Sequence, residues 1–304
     1  MQCMAASDRW RGWARVAACW LVVGVAAPLA PAQAPVVPTD HYGPPVCGVV
    51  KPSANRMTAE AARAEQQQGS ANPQALLSDE PLENFGIERY KLADYADCLG
   101  SGGCYWADLD AQYKRAEAIL AAKFAAAGIP AAGVPAAGVP AAQGELKQKL
   151  AVVMDIDDST LSTYCEMERE SFGYVGPMFN GWVVSPEAAV AIPGALRLFN
   201  QAKAAGVAVF FITGRPGMGA PTNQTAATAK NLEAAGFHGW TGLALRNGEE
   251  NSMATIAYKS GERQKIVGKR YNIVLSVGDQ WSDLLGDPQA AVSVKLPNPF
   301  YFLP

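Results

Sequence analysis

The sequence predicts an α/β fold in which a parallel sheet is flanked by helices, and three observations point there. Continuous apolar runs of strand length stand at 150–156, 207–212 and 273–277. Stretches with helical spacing separate them, at 186–205, 222–235 and 262–270. Each apolar run ends on acids or on a hydroxyl residue. A strand that is apolar on both sides has to be covered on both, which is the environment of a parallel sheet between helices. In such sheets the cleft that binds ligands lies beyond the carboxyl ends of the strands.

Taken in chain order, the first element is a targeting segment. Arg9, Arg11 and Arg15 precede an apolar run at 16–27, and the small residues Ala30 and Ala32 follow, which is the pattern of a cleavable secretory signal at 1–32 with the cut after Ala32. The run is too short to span a bilayer, so the mature protein is expected to carry no transmembrane segment and to be secreted or periplasmic. Cys19 lies near the start of the apolar run, whereas a lipidated cysteine sits at its end, so no lipid anchor is expected there. Four cysteines then remain, Cys47, Cys98, Cys104 and Cys165, with three possible pairings in an oxidising compartment. Cys98 and Cys104 flank the flexible Leu-Gly-Ser-Gly-Gly and are the favoured pair.

Residues 33–75 are rich in Pro, Gln, Ala and Ser and read as an extended leader with one short helix at about 58–68. The folded domain is expected over 76–304. Its helical part, 76–125, is an N-terminal extension marked by the spacing of Tyr105, Leu109, Tyr113, Ile119, Leu120 and Phe124. The pentapeptide repeat AAGIP AAGVP AAGVP follows, inside a linker at 126–144, because a proline at every fifth position blocks a regular helix. The alternating strands and helices of 145–304 form the core, and the aromatic-rich stretch after the first strand is expected to form a small cap.

Composition removes several classes of function. At 304 residues the chain can bury a core without disulfides or metals. With 17% charged and 49% hydrophobic residues it is a folded chain, not a disordered one. A net charge of −3 supplies no polycationic face, so polymeric nucleic acid is not an expected partner. Only two histidines occur, His41 and His238, and there is no H-E-x-x-H, G-x-S-x-G or P-loop motif. The chemistry therefore falls to carboxylates. The first strand runs into Asp155, Asp157 and Asp158, the second ends at Thr213, and the third ends at Asp279 with Asp283 four residues on. Each close pair of carboxylates repels by about 4 kcal/mol at an effective dielectric near 20. A hard divalent cation with oxygen ligands, such as Mg2+, is the simplest way to neutralise them.

In order along the chain, DIDDS, FFITGRP, YKSGERQKI and SVGDQWSDLLG resemble the four motifs of the haloacid-dehalogenase (HAD) superfamily. Within it they resemble the secreted acid phosphatases of the plant-type and bacterial class B and C group, the four-aspartate phosphatases, and the terminal KLPNPFYF is similar to the ending of the plant-type branch. The resemblance implies a HAD-like Rossmannoid core that hydrolyses small-molecule phosphomonoesters with Mg2+. It implies that Asp155 attacks phosphorus to form an aspartyl-phosphate. Asp157 is the implied acid for the leaving oxygen and later the base for water. Asp155, the backbone carbonyl of Asp157, and Asp279 are the implied metal ligands, with Asp283 a further ligand or the holder of a metal-bound water. Thr213 is expected to bond a phosphoryl oxygen and Lys259 to neutralise phosphate charge, with Arg263 and Lys265 as alternatives to Lys259. Ser159 stands where the family commonly has Thr or Val, so activity with a looser first loop is expected.

Among the cap aromatics Tyr164, Phe172, Tyr174 and Trp182, Tyr164 is the first candidate to contact substrate. His238 reads as a loop residue and Trp240 and Trp281 as core. Asp158 is expected to face away from the reaction. Because an ordinary aspartic acid loses its proton near pH 3.9, a mechanism that needs a protonated acid is expected to run best at acid pH. Two other readings stay open: a phosphotransferase of the same fold, and a non-catalytic storage or envelope-binding protein.

Overall fold

A computed structural model describes residues 57–77, 82–99, 101–129, 149–217 and 224–303. The expected signal at 1–32, the start of the leader and most of the repeat lie outside the described residues. Three helices come first, α1 (Ala59–Ser70), α2 (Phe85–Ala96) and α3 (Tyr105–Ala126). Thr58 caps α1 by accepting from the Ala61 amide at 3.2 Å, and Asn84 caps α2 by accepting from Gly86 and Ile87. A disulfide joins Cys98 to Cys104 across the turn between α2 and α3, the pairing favoured from spacing, and Cys165 is also disulfide-bonded.

The rest alternates: β1 (Lys149–Met154), α4 (Tyr164–Arg169), α5 (Gly176–Val183), α6 (Pro193–Ala204), β2 (Ala208–Pro216), α7 (Gln224–Ala234), β3 (Gly242–Arg246), α8 (Thr255–Gly268), β4 (Tyr271–Gly278), α9 (Trp281–Leu284) and β5 (Ser293–Lys295). The five strands form one parallel sheet in the order β3-β2-β1-β4-β5. The chain builds outward from β1 through β2 to β3 and then returns to place β4 on the other side of β1. That reversal is a topological switch point, and the crevice it opens lies at the carboxyl ends of β1, β2 and β4.

Strand residues alternate between the two faces, which explains the unbroken apolar runs. Val152, Met154, Val209, Phe211, Leu275 and Val277 pack into one core with α3 and α6. Ala151, Val153, Phe210, Ile212 and Ile273 pack into a second, against Tyr258 and Ile266 of α8. The helix α3 is thus a layer of the core. Its stripe of Tyr105, Leu109, Tyr113, Ala116, Leu120 and Phe124 is buried throughout, at steps of three and four residues. Each large side chain there stabilises the fold by roughly 1.5–3 kcal/mol. Gly194, in the first turn of α6, lets the two helices touch: a Cβ there would lie 2.5 Å from Tyr113 Cβ.

Two expected helices change and two short strands are added. The helix expected at 186–205 is interrupted: Pro186–Ala188 is a single 3-10 turn and α6 starts on Pro193, whose ring suits the first helical position but cannot continue a preceding helix. The intervening residues bond the loop after β1 instead, through Ser162 N to Val190 O at 2.8 Å and Ile192 N to Thr160 O at 3.0 Å. The helix expected from 262 starts at Thr255, which puts Lys259 on a helix. Two short edge strands, β3 and β5, were not evident in the pattern. Among the described residues, no helix is long and apolar enough to cross a membrane.

Candidate active site

The site starts where β1 stops. The Asp155 amide makes the last rung to β4, donating to Val277 O at 3.0 Å, and beyond it the chain folds into a tight loop. Thr160 and Leu161 amides both donate to Ile156 O at 2.8 Å, and the Thr160 hydroxyl donates to Asp155 O at 2.5 Å. Asp158 takes a left-handed φ of 52° and turns its carboxylate inward, accepting from the Thr163 amide at 2.8 Å and the Thr163 hydroxyl at 2.5 Å. It is fully buried and locks the loop. Ser159 is buried too. Its hydroxyl donates to Asp279 Oδ1 at 2.9 Å, while the Tyr113 hydroxyl of α3 donates to its carbonyl. The Ser159 hydroxyl thus holds a site carboxylate.

Three carboxylates from two strand ends meet here, Asp155 after β1 and Asp279 and Asp283 after β4. Oxygens of Asp155, Asp279 and Asp283 lie within 4.8 Å of one another, and all three residues are buried. Lys259, 5% exposed, donates to Asp155 Oδ1 at 2.5 Å and to Asp283 Oδ1. Asp283 also accepts from the Gln280 amide at 2.8 Å, so it caps its own short helix. Gly278 is required by this packing, since a Cβ there would sit 2.3 Å from Asp283 Cβ. Of the alternatives to Lys259, Arg263 clamps the carbonyls of Asp283, Leu285 and Pro288, and Lys265 is exposed against Glu250 and Glu262.

Asp157 is held by a separate set of partners. Arg215, at the end of β2, donates from Nε to Asp157 Oδ2 at 3.0 Å and from Nη2 to Oδ1 at 2.6 Å, a two-pronged contact. Its Nη1 donates to the Thr228 hydroxyl on α7 at 3.1 Å, and the Thr213 hydroxyl lies 3.4 Å from Asp157 Oδ2. Asp157 is therefore tied to β2, while Asp155 is tied to α8.

Burial pushes the Asp155 carboxyl well above the ordinary range, helped by Asp283 and opposed by Lys259. Burial and Asp283 likewise raise Asp279, opposed by hydrogen bonds from Asn298, Gln280 and Ser159. Burial works to lower Lys259, but Asp155 and Asp283 outweigh it and raise the ammonium above its usual value. A single ammonium against three buried carboxylates leaves a charge deficit, and the donor set is hard oxygen throughout, which fits a small divalent cation.

A pH dependence follows for the cation-free protein. Burial and Asp279 push Asp158 up to about 7 against hydrogen bonds from Thr163, from an ordinary 3.8. A carboxyl raised by folding binds its proton more tightly in the fold, so its contribution is full below the unfolded value and is lost as pH rises through the folded one. Asp155 and Asp279 are displaced the same way. In EDTA the melting temperature is expected to be higher at pH 5 than at pH 8, with the gap closing when Mg2+ is added. A melting temperature that is flat or rises with pH contradicts this.

The structure brings Asp155, Asp157, Thr213, Lys259, Asp279 and Asp283 together at one end of the sheet. Tyr164 is elsewhere: it is 1% exposed, packs against Trp106 and Phe300, and donates to Asp97 at 2.8 Å, which leaves no ring face for a ligand. Tyr174 is the cap aromatic that stays open, 66% exposed, its hydroxyl raised by burial, Glu170 and Asp157. His238 is exposed and Trp240 packs beside the core, as expected, whereas Trp281 is 55% exposed under the Lys295 ammonium. Arg215 and Asn298 escaped the sequence reading. Arg215 carried a usable signal, a cation two residues past Thr213 on the same strand face. Asn298, between two prolines in the terminal KLPNPFYF, carried no signal of its contact with Asp279.

A family model for "HAD superfamily, subfamily IIIB (Acid phosphatase)" matches residues 64–304. Acid phosphatase 1 of Solanum lycopersicum is 34% identical over 154 residues, which are 50% of this chain and 58% of that protein. The stem 28 kDa glycoprotein of Glycine max is 32% identical over 164 residues, 52% of this chain and 62% of that protein. Vegetative storage protein 1 of Arabidopsis thaliana is 32% identical over 156 residues, 50% of this chain and 55% of that protein. The matches thus span about six-tenths of the length of these curated relatives. A class C acid phosphatase from Bacillus anthracis with tungstate bound aligns with a TM-score of 0.45 at 24% identity, over 64% of this chain and 79% of that one.

Proposed function

The chain belongs to the subfamily IIIB acid phosphatases of the HAD superfamily, and on that footing we propose that it is a secreted, Mg2+-dependent phosphomonoesterase acting through an aspartyl-phosphate on Asp155. One observation carries the reading. Asp155 ends the central strand with Asp279, Asp283 and Lys259 beside it and the Arg215-held Asp157 two residues on. Buried like charges destabilise a fold, and their concentration at a strand end is the mark of a reactive centre.

In the proposed reaction a carboxylate oxygen of Asp155 attacks phosphorus in line. The bond from phosphorus to the ester oxygen breaks, and Asp157 gives its proton to that oxygen, which leaves as an alcohol. Water then loses a proton to Asp157 as its oxygen attacks the same phosphorus. The bond to Asp155 breaks and inorganic phosphate departs. Thr213 and Lys259 supply donors to the phosphoryl oxygens as charge builds. Asp155, Asp279, Asp283 and the Asp157 carbonyl would hold Mg2+, which when bound offsets the charge shared by carboxylates and phosphate. The Cys98–Cys104 disulfide supports an oxidising compartment and hence the secreted or periplasmic address.

The test is phosphate release from a panel of small phosphomonoesters by the mature protein. Release at pH 5 with Mg2+, lost in EDTA, is expected. A rate that still climbs above pH 8 contradicts the acid optimum, and phosphoesters newly formed on added glycerol mark a phosphotransferase. Relatives named as vegetative storage proteins make a non-catalytic role the second reading. Complete silence of the folded protein on every ester would favour it.

A further inference from the structure

We infer that the C-terminal segment is part of the cation site: Asn298, on the chain that follows β5, positions Asp279. This rests on the metal reading above and concerns a residue outside the four motifs. Leu296 N donates to Gly278 O at 2.8 Å, which lays the segment alongside the end of β4. Pro297 and Pro299 then restrict the backbone on both sides of Asn298.

The Asn298 side chain is oriented from both ends. Its Oδ1 accepts from the Phe300 amide at 2.8 Å, which directs Nδ2 to Asp279 Oδ2 at 2.7 Å. Phe300 is the anchor, 5% exposed, with its ring 4.9 Å from Tyr105 and 5.4 Å from Phe172 between centroids. The segment acts a second time through Gln280. Leu303 N donates to Gln280 Oε1 at 3.0 Å, and Gln280 Nε2 donates to Asp279 Oδ2 at 2.7 Å.

With the Ser159 hydroxyl on Oδ1, Asp279 accepts three hydrogen bonds from side chains. An ionised carboxylate has about four lone-pair directions, so one remains for a cation. Lys259 bonds Asp155 and Asp283. Asp279 relies on neutral donors, which fix its rotation without competing for the cation's charge. Outer donors of this kind typically change metal affinity by about 10–100-fold.

The experiment is Mn2+ binding to the mature protein followed by electron paramagnetic resonance, a readout independent of turnover. Asn298→Ser is the informative variant, since a hydroxyl can still accept from the Phe300 amide but is too short to reach Asp279. Asn298→Ala is the second. Mn2+ binding about 10–100-fold weaker than wild type, with an unchanged cation-free melting curve, supports the inference. Affinity within about twofold of wild type overturns it, as does a lowered cation-free melting curve in both variants, which would assign Asn298 to folding alone. Wild-type protein that binds no Mn2+ removes the metal reading itself, a distinct failure that takes this inference with it.

Discussion

Asp155→Asn is expected to lower phosphate release by about 10^4-fold or more with the fold intact. The amide matches the carboxylate in shape but offers no nucleophilic oxygen, and no neighbour is placed to replace it: Asp283 and Asp279 are occupied by Lys259, Ser159, Gln280 and Asn298. Two effects of the change are separable. On the proposed mechanism, loss of a cation ligand would weaken metal binding and be offset by raising Mg2+, whereas loss of the attacking oxygen would not. Release that stays low at saturating Mg2+ is therefore the expected result. A variant that recovers to more than about a tenth of the wild-type rate would leave Asp155 a ligand only and move the attack elsewhere. Because Asp155 is 6% exposed and its carboxyl is raised by burial, the neutral amide should also melt higher than wild type in EDTA at pH 8.

The parts of this site that were legible in the sequence are those that strand chemistry forces. The runs ending in Asp155, Thr213 and Asp279 are apolar because β1, β2 and β4 are buried on both faces, and their tips had to converge once the sheet was parallel. The edge strands were not legible for the complementary reason. Three of the five residues of β3 are only partly buried, and β5 is three residues long, so neither needs a strong pattern. The early start of α8 was hidden by Gly261, a poor helix former that tertiary packing of Tyr258 and Ile266 overrides. Tyr164 misled because an aromatic near a site reads the same whether it faces the cleft or the core, and here Trp106, Phe300 and Asp97 claim it. Asn298 reaches Asp279 across 19 residues of chain, a contact that no local pattern encodes.

Arg215 tests the other half of the site. Its guanidinium is 3% exposed at the side chain, reaches both oxygens of Asp157 and is itself fixed by Thr228. Asp157 lies two residues beyond Asp155, and this fork, with the Thr213 hydroxyl 3.4 Å away, sets where its carboxyl stands. If Asp157 protonates the leaving oxygen, its misplacement should matter in proportion to how badly that oxygen needs a proton. Arg215→Ala is expected to cost about 10^2–10^3-fold in kcat on an alkyl phosphate, within the usual contribution of a general acid, and about tenfold or less on an aryl phosphate whose phenolate leaves unaided. KM should move little on either. Arg215→Lys retains the charge but not the fork and should fall between. Substrates separate this from the alternatives: a guanidinium that bound the phosphoryl group would raise KM on every ester alike, and one that merely supported the fold would lower kcat on every ester alike. Only a residue acting through the acid makes the loss depend on the leaving group.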